Sequence, residues 1–134
     1  MNSAISLALM SLLLAVAGCG GSTAAPGGTK GTIRHGTATL SDVQVTVHRG
    51  DHGFWEPVGF GVSGADGQFE LRDNLASGPL WLTPGRYRFT IESVGPTPLA
   101  WSPAHQDPAQ TPLRRTWTAT DTTLDVDVPE PSLR

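Results

Sequence analysis

The chain has 134 residues, a formal net charge of −3 and 38% hydrophobic residues, which allows one domain with a modest core. Near-balanced charge gives no bulk electrostatic reason to expect nucleic acid or an anionic surface as partner. Sixteen glycines and eleven prolines imply many turns and few long helices, and a single cysteine, Cys19, excludes an internal disulfide.

Residues 5–16 (ISLALMSLLLAV) carry no charge. A run of about a dozen is too short to span a bilayer, which needs roughly 20, but suits the apolar centre of a signal peptide. Val16-Ala17-Gly18-Cys19 follows. This segment resembles a type II, or lipoprotein, signal peptide: an aliphatic residue and two small ones precede the cysteine. The resemblance implies cleavage before Cys19, a diacylglyceryl group on its thiol and an acyl chain on its amine. The departure from the pattern is that residues 1–4 contain no Lys or Arg. Residues 20–30 (GGSTAAPGGTK) have no apolar period and read as a flexible tether. The expected organisation is a signal peptide at 1–18, a lipidated cysteine and tether at 19–30, and a folded domain at 31–130. The expected location is the cell envelope. Gly20, directly after Cys19, is not an acidic retention signal, which favours the outer membrane over the inner.

Beyond the tether, short β-branched runs alternate with turn residues. Thr32-Ile33-Arg34 predicts a strand. Val43, Val45 and Val47 alternate with Gln44, Thr46 and His48, the clearest half-buried strand in the chain. Residues 54–62 predict another, with Gly59 and Gly61 on one face suggesting close approach of a ring or backbone, and Pro57 confining its start to an edge. Asp66-Gly67 predicts a tight turn that closes a hairpin, with residues 68–71 returning as a strand that has Phe69 and Leu71 inward. Leu80-Trp81-Leu82 reads as a short apolar strand. Thr83-Pro84-Gly85 reads as a type II turn into residues 86–92, where Tyr87, Phe89 and Ile91 share one face. Residues 95–112 hold five prolines and read as a long loop. Strands at 115–120 and 124–128 complete about seven, and the pattern predicts an all-β, antiparallel β-sandwich of Greek-key type.

Gly31-Thr32-Ile33, Val43 to Val47, Val62-Ser63-Gly64-Ala65-Asp66-Gly67-Gln68-Phe69-Glu70-Leu71 and Pro84-Gly85-Arg86-Tyr87-Arg88-Phe89 together resemble a carboxypeptidase regulatory-like domain. The resemblance covers about residues 31–94 and extends to the small lipoproteins of planctomycete-type bacteria that carry such domains. It implies a transthyretin-like (prealbumin-like) sandwich and no particular activity.

Residues able to do chemistry are scattered. His48 and His52 flank Arg49-Gly50-Asp51, but no third metal ligand is set by spacing, and His48 falls on the polar face of its strand. His35 and His105 lie elsewhere, and Asp66, Asp121, Asp125 and Asp127 match no calcium loop. Nucleophile, paired-carboxylate and phosphate-loop patterns are not found. One tyrosine, Tyr87, does not suffice for an intradiol-type iron site, and the chain lacks the terminal motif of transthyretin-like hydrolases. No catalytic residue, cofactor or metal is therefore assigned. Among four tryptophans, Trp55 and Trp101 are candidate ligand contacts, with Trp101 in the proline-rich loop the better placed for stacking on sugar rings. The alternative packing assignment puts Trp81 in the core, has Trp101 pinning its own loop to a sheet, and leaves Trp55 and Trp117 half-exposed. The expected function is a non-enzymatic, lipid-anchored envelope module, structural or protein-binding. The alternative is a carbohydrate- or peptide-binding module using exposed tryptophans or a sheet edge. The expected partners are the membrane, through Cys19, and an envelope protein or polysaccharide.

Overall fold

The computed structural model describes residues 27–51 and 53–133. The expected signal helix, Cys19 and the first part of the tether lie outside the described residues, as does His52. β-Branched and aromatic runs broken by Gly and Pro form β1 (Lys30–His35), β2 (Ala38–Thr39), β3 (Val43–Asp51), β4 (Phe54–Val62), β5 (Gln68–Glu70), β6 (Arg72–Asp73), β7 (Gly85–Ser93), β8 (Leu99–Ala100), β9 (Arg114–Trp117), β10 (Thr123–Asp127) and β11 (Ser132–Leu133). One 3₁₀ turn, Pro103–Gln106, stands in the proline-rich stretch.

The larger sheet runs β6-β4-β3-β7-β9 and is antiparallel throughout. The smaller centres on β1, which pairs with β10 on one side and with β2 and β5 on the other. β8 and β11 form a separate two-stranded ribbon. The fold is an all-β sandwich, and its core lies between the inner faces of the two sheets. Val43, Val45, Val47, Phe89 and Ile91 come from the larger sheet, and Ile33, Phe69, Leu124, Val126 and Val128 from the side of the smaller. The β1–β10 pair is parallel, Lys30 opposite Thr123 and Arg34 opposite Asp127, in an otherwise antiparallel fold. Such a pair needs a long crossover, here most of the domain, so no local turn signal announces it.

Several expected features take the form the residues implied. Gly67 has φ of 76° and the Asp66 carboxylate accepts the Gln68 N–H at 3.0 Å, an Asx turn. The turn does not close the expected hairpin: β4 pairs with β3 and β6, whereas β5 pairs with β1, so the chain passes here from one sheet to the other. Gly59 and Gly61 face inward, where a Cβ on Gly61 would lie 2.8 Å from the Phe69 ring.

Others differ. The domain begins before Gly31, because Thr29 is buried and stitched in: its N–H donates to Leu80 O, its carbonyl accepts from Leu71 N–H, and its Oγ1 accepts from Leu82 N–H, each at 2.9 Å. Leu80-Trp81-Leu82 is extended but is not a sheet strand. Leu82 takes the core position and Leu80 packs against it, so alternation turns Trp81 out, 59% exposed. Trp117, expected half-exposed, is 5% exposed at the end of β9, opposite Gly85. Gly85 has no positive φ and opens β7 as extended backbone, so the expected type II turn is not made. The corner is held instead by Tyr87, whose hydroxyl donates to Thr83 O at 2.7 Å, a tyrosine corner. Pro57 lies inside β4, at a bulge: Val47 pairs with Gly59 but His48 pairs with Pro57, leaving Val58 as the extra residue.

Candidate functional site

The bulge at Pro57 decides which face receives Trp55. Gly59 and Gly61 point inward, and unbroken alternation would send Trp55 the same way. With Val58 extra, Trp55 pairs with Gly50 and emerges on the outer face of the larger sheet. There it lies against Gly50, where a Cβ would be 2.6 Å from the indole, and beneath or beside the Arg88 guanidinium, whose carbon is 4.1 Å from the ring centroid.

Register gathers further cations on this face. β7 sends Tyr87, Phe89 and Ile91 inward and Arg86 and Arg88 outward; Arg88 pairs with Arg114 and Arg86 with Thr116 on β9. Directly opposed residues stand about 5 Å apart at Cα and successive outward residues about 7 Å. Arg86, Arg88 and Arg114 therefore form a small triangle beside Trp55, around a cleft of about 290 Å³ that Arg115 and Tyr87 also line. Like charges directly opposite are destabilising. Arg88 offsets part of this cost by donating from Nη1 to Pro108 O at 3.0 Å and Ala109 O at 2.8 Å, while its buried Nε has no partner. Arg114 donates from Nε to Thr111 O at 3.3 Å. Among the described residues the one ion pair is Arg115–Asp121, at 3.2 Å. The Thr118 backbone N–H, bonded to Asp121, with help from Arg115, holds that carboxyl below the usual carboxylate range. The cleft thus gathers positive charge in a chain whose net charge is negative, a local excess that composition hides.

A larger cavity, about 560 Å³, opens where β4 and β5 diverge, lined by Phe60, Gly61, Lys30, Arg72, Asp66 and Glu70 among others. Its charges alternate in sign, so it selects no ligand charge.

The other candidates are dispersed. Trp101 is partly buried against the core, and its Nε1 donates to Pro129 O at 3.0 Å, tying the proline-rich loop to the segment after β10. His35 Nδ1 bonds Val128 O, His105 Nδ1 bonds Ser102 O, and His48 Nε2 bonds Thr90 Oγ1 at 2.9 Å. No group of three or more His, Cys, Asp or Glu able to hold a metal exists among the described residues.

His48 lies on the outer face of the sheet, as alternation predicts, yet it is 7% exposed rather than solvated. Burial lowers its pKa below the ordinary 6.5. A depressed histidine favours the neutral folded form, so its contribution to stability is present above 6.5 and is lost as pH falls through the folded value. The urea midpoint should drop on acidification below 6.5, and His48→Gln should flatten that part of the profile; an unchanged slope would count against the assignment.

Comparison with protein families, characterised proteins and solved structures returns no match. The class the geometry defines is an all-β sandwich with a cationic, tryptophan-bearing cleft on one sheet face.

Proposed function

We propose that the chain is a non-enzymatic lipoprotein domain of the cell envelope that works by binding, with the Trp55 cleft as its binding face. The observation that carries the binding role is the gathering of Arg86, Arg88 and Arg114 around Trp55 without a carboxylate paired to any of them among the described residues. Guanidinium groups pair bidentately with carboxylates and also stack on planar groups. The ligand class is an envelope polysaccharide bearing carboxylates, met by the arginines and by the free part of the indole edge. Trp101, tied to Pro129, is a loop anchor rather than a contact.

Location in this proposal rests on Val16-Ala17-Gly18-Cys19. One acyl chain holds a protein marginally and two or three hold it firmly. Kinship with carboxypeptidase regulatory-like domains is part of the same proposal, supported by the Asp66-Gly67 turn, the inward glycines and the Tyr87 corner.

Two measurements test it. Purified protein titrated with polygalacturonate, read by tryptophan emission, should bind in a salt-sensitive way, and Arg86→Ala with Arg114→Ala should weaken binding by about tenfold or more. Equal affinity for neutral dextran, or no effect of the double substitution, would remove the cleft from the function. Cys19→Ala should release the protein from the membrane fraction or leave its leader uncut; unchanged acylation and fractionation would overturn the anchored reading.

A further inference from the structure

The tether joins the domain at a defined place. Thr29 is bonded to Leu80 and Leu82, and Trp81 stands exposed between them. The same loop reaches the end of the larger sheet, where Arg49 donates from Nη1 to Thr83 Oγ1 at 3.0 Å and from Nη2 to Pro84 O at 3.4 Å. Arg49 is two residues from the end of β3, whose last residue pairs with Phe54, and Phe54 is 76% exposed. Asn74 donates to Pro57 O, near the Phe54 end of β4, and the turn it fixes exposes Leu75 by 87%. One end of the sandwich therefore carries the attachment of the tether together with Phe54, Leu75 and Trp81, three of the six exposed large hydrophobic residues among those described.

Charge at this end is mixed in sign, so apolar contact and the length of the tether, not net charge, carry the case for a bilayer. Arg49 faces Glu56 across the β3–β4 pair, and the Asp73 carboxylate, which accepts from the Ser77 N–H, lies beside Asn74 and Leu75. Thr29 is ten residues beyond Cys19. Ten residues span at most about 35 Å extended and about 17 Å as a flexible coil. A bilayer holding Cys19 is thus always within reach of this end.

We propose that this end is a membrane-docking surface, with Phe54 and Trp81 seated among lipid headgroups, while the arginines of the Trp55 cleft stay on the sheet face. The inference deepens the anchored reading and rests on it. Exposed aromatic residues settle at the headgroup level, where one part of the ring is apolar and the other wet. Two aromatics bind a bilayer weakly on their own. Tethering makes the contact intramolecular, at an effective concentration of about millimolar, so a weak contact is populated. Docking here fixes the orientation of the domain: the sheet faces stand away from the bilayer and the β8–β11 ribbon remains free.

The test couples the chain from residue 19 onward through its only thiol, that of Cys19, to maleimide-headgroup lipid. The vesicles contain equal parts phosphatidylglycerol and brominated phosphatidylcholine. Bromine quenches indole only on close approach, so emission should be lost relative to unbrominated vesicles. Trp81→Phe should remove most of that loss while preserving an aromatic ring, and Phe54→Ser should reduce it with Trp81 intact. Both side chains are exposed, so neither substitution threatens folding. Equal emission in the two kinds of vesicle overturns the proposal, as does a loss that persists unchanged in Trp81→Phe, and either result leaves the end to a protein partner. Because the coupling is chemical, this result is independent of whether Cys19 is acylated in the cell, which fractionation of Cys19→Ala reads separately.

Discussion

Phe69→Ala is expected to destabilise the domain by about 3–5 kcal/mol, a large share of the total stability of a domain this size. Phe69 is buried, and its ring fills the space above two glycines that belong to different sheets. A Cβ on Gly31 of β1 would lie 2.3 Å from Cζ, and one on Gly61 of β4 would lie 2.8 Å from Cδ2. The ring is therefore a spacer between the sheets as well as a hydrophobic contact. When it is truncated, neither glycine has a side chain that can move into the void, so relaxation is limited and the cost should fall in the upper part of the range. The measurement is a urea or thermal melt with the unfolding slope checked for change. A midpoint within error of the parent would show that the ring does not hold the sheets apart.

The complementary substitution is Gly31→Ala. The added methyl meets both the Phe69 ring and the Leu124 carbonyl, the latter at 2.6 Å. The ring can shift; the carbonyl belongs to the β1–β10 ladder and shifts only if the strands part. Overpacking of this kind costs about 1–3 kcal/mol. Combined with Phe69→Ala, the ring clash is gone and the carbonyl clash remains. The two costs should therefore fall short of adding, with a coupling of about 0.5–3 kcal/mol. Strict additivity in a double-mutant cycle would place the whole penalty on the strand backbone and none on the ring.

The candidate site was half legible. Trp55 stood out as an aromatic residue at the start of a strand, and the alternation of Tyr87, Phe89 and Ile91 already assigned Arg86 and Arg88 to the opposite face. Arg114 carried no signal, because its placement depends on pairing with Arg88 across twenty-six residues of sequence containing five prolines. Near-neutral net charge also concealed the cleft, since composition averages over surfaces that the fold separates. His48 was placed on the correct face, but its burial was not foreseeable from a strand pattern that treats every outward residue as solvated.

By itself the sequence determined whatever depends on neighbours a few residues apart. The three valines of β3 face one way because side chains alternate along a strand. The Asp66-Gly67 turn forms because one residue bonds its own backbone and the next tolerates a positive φ. The all-β class follows from many such short runs broken by Gly and Pro. Tertiary structure decided what depends on which strands meet. The parallel partnership of β1 and β10, the exchange of roles between Trp81 and Trp117, and the bulge that turns Trp55 outward each arise from competition for core space between segments far apart in the chain. Leu80 and Leu82 take the inward positions that Trp81 would need, and an extra residue at Val58 reverses the facing of everything before it. A period of two records that neighbouring side chains face opposite ways, but which face becomes the interior is settled only when a second sheet covers it.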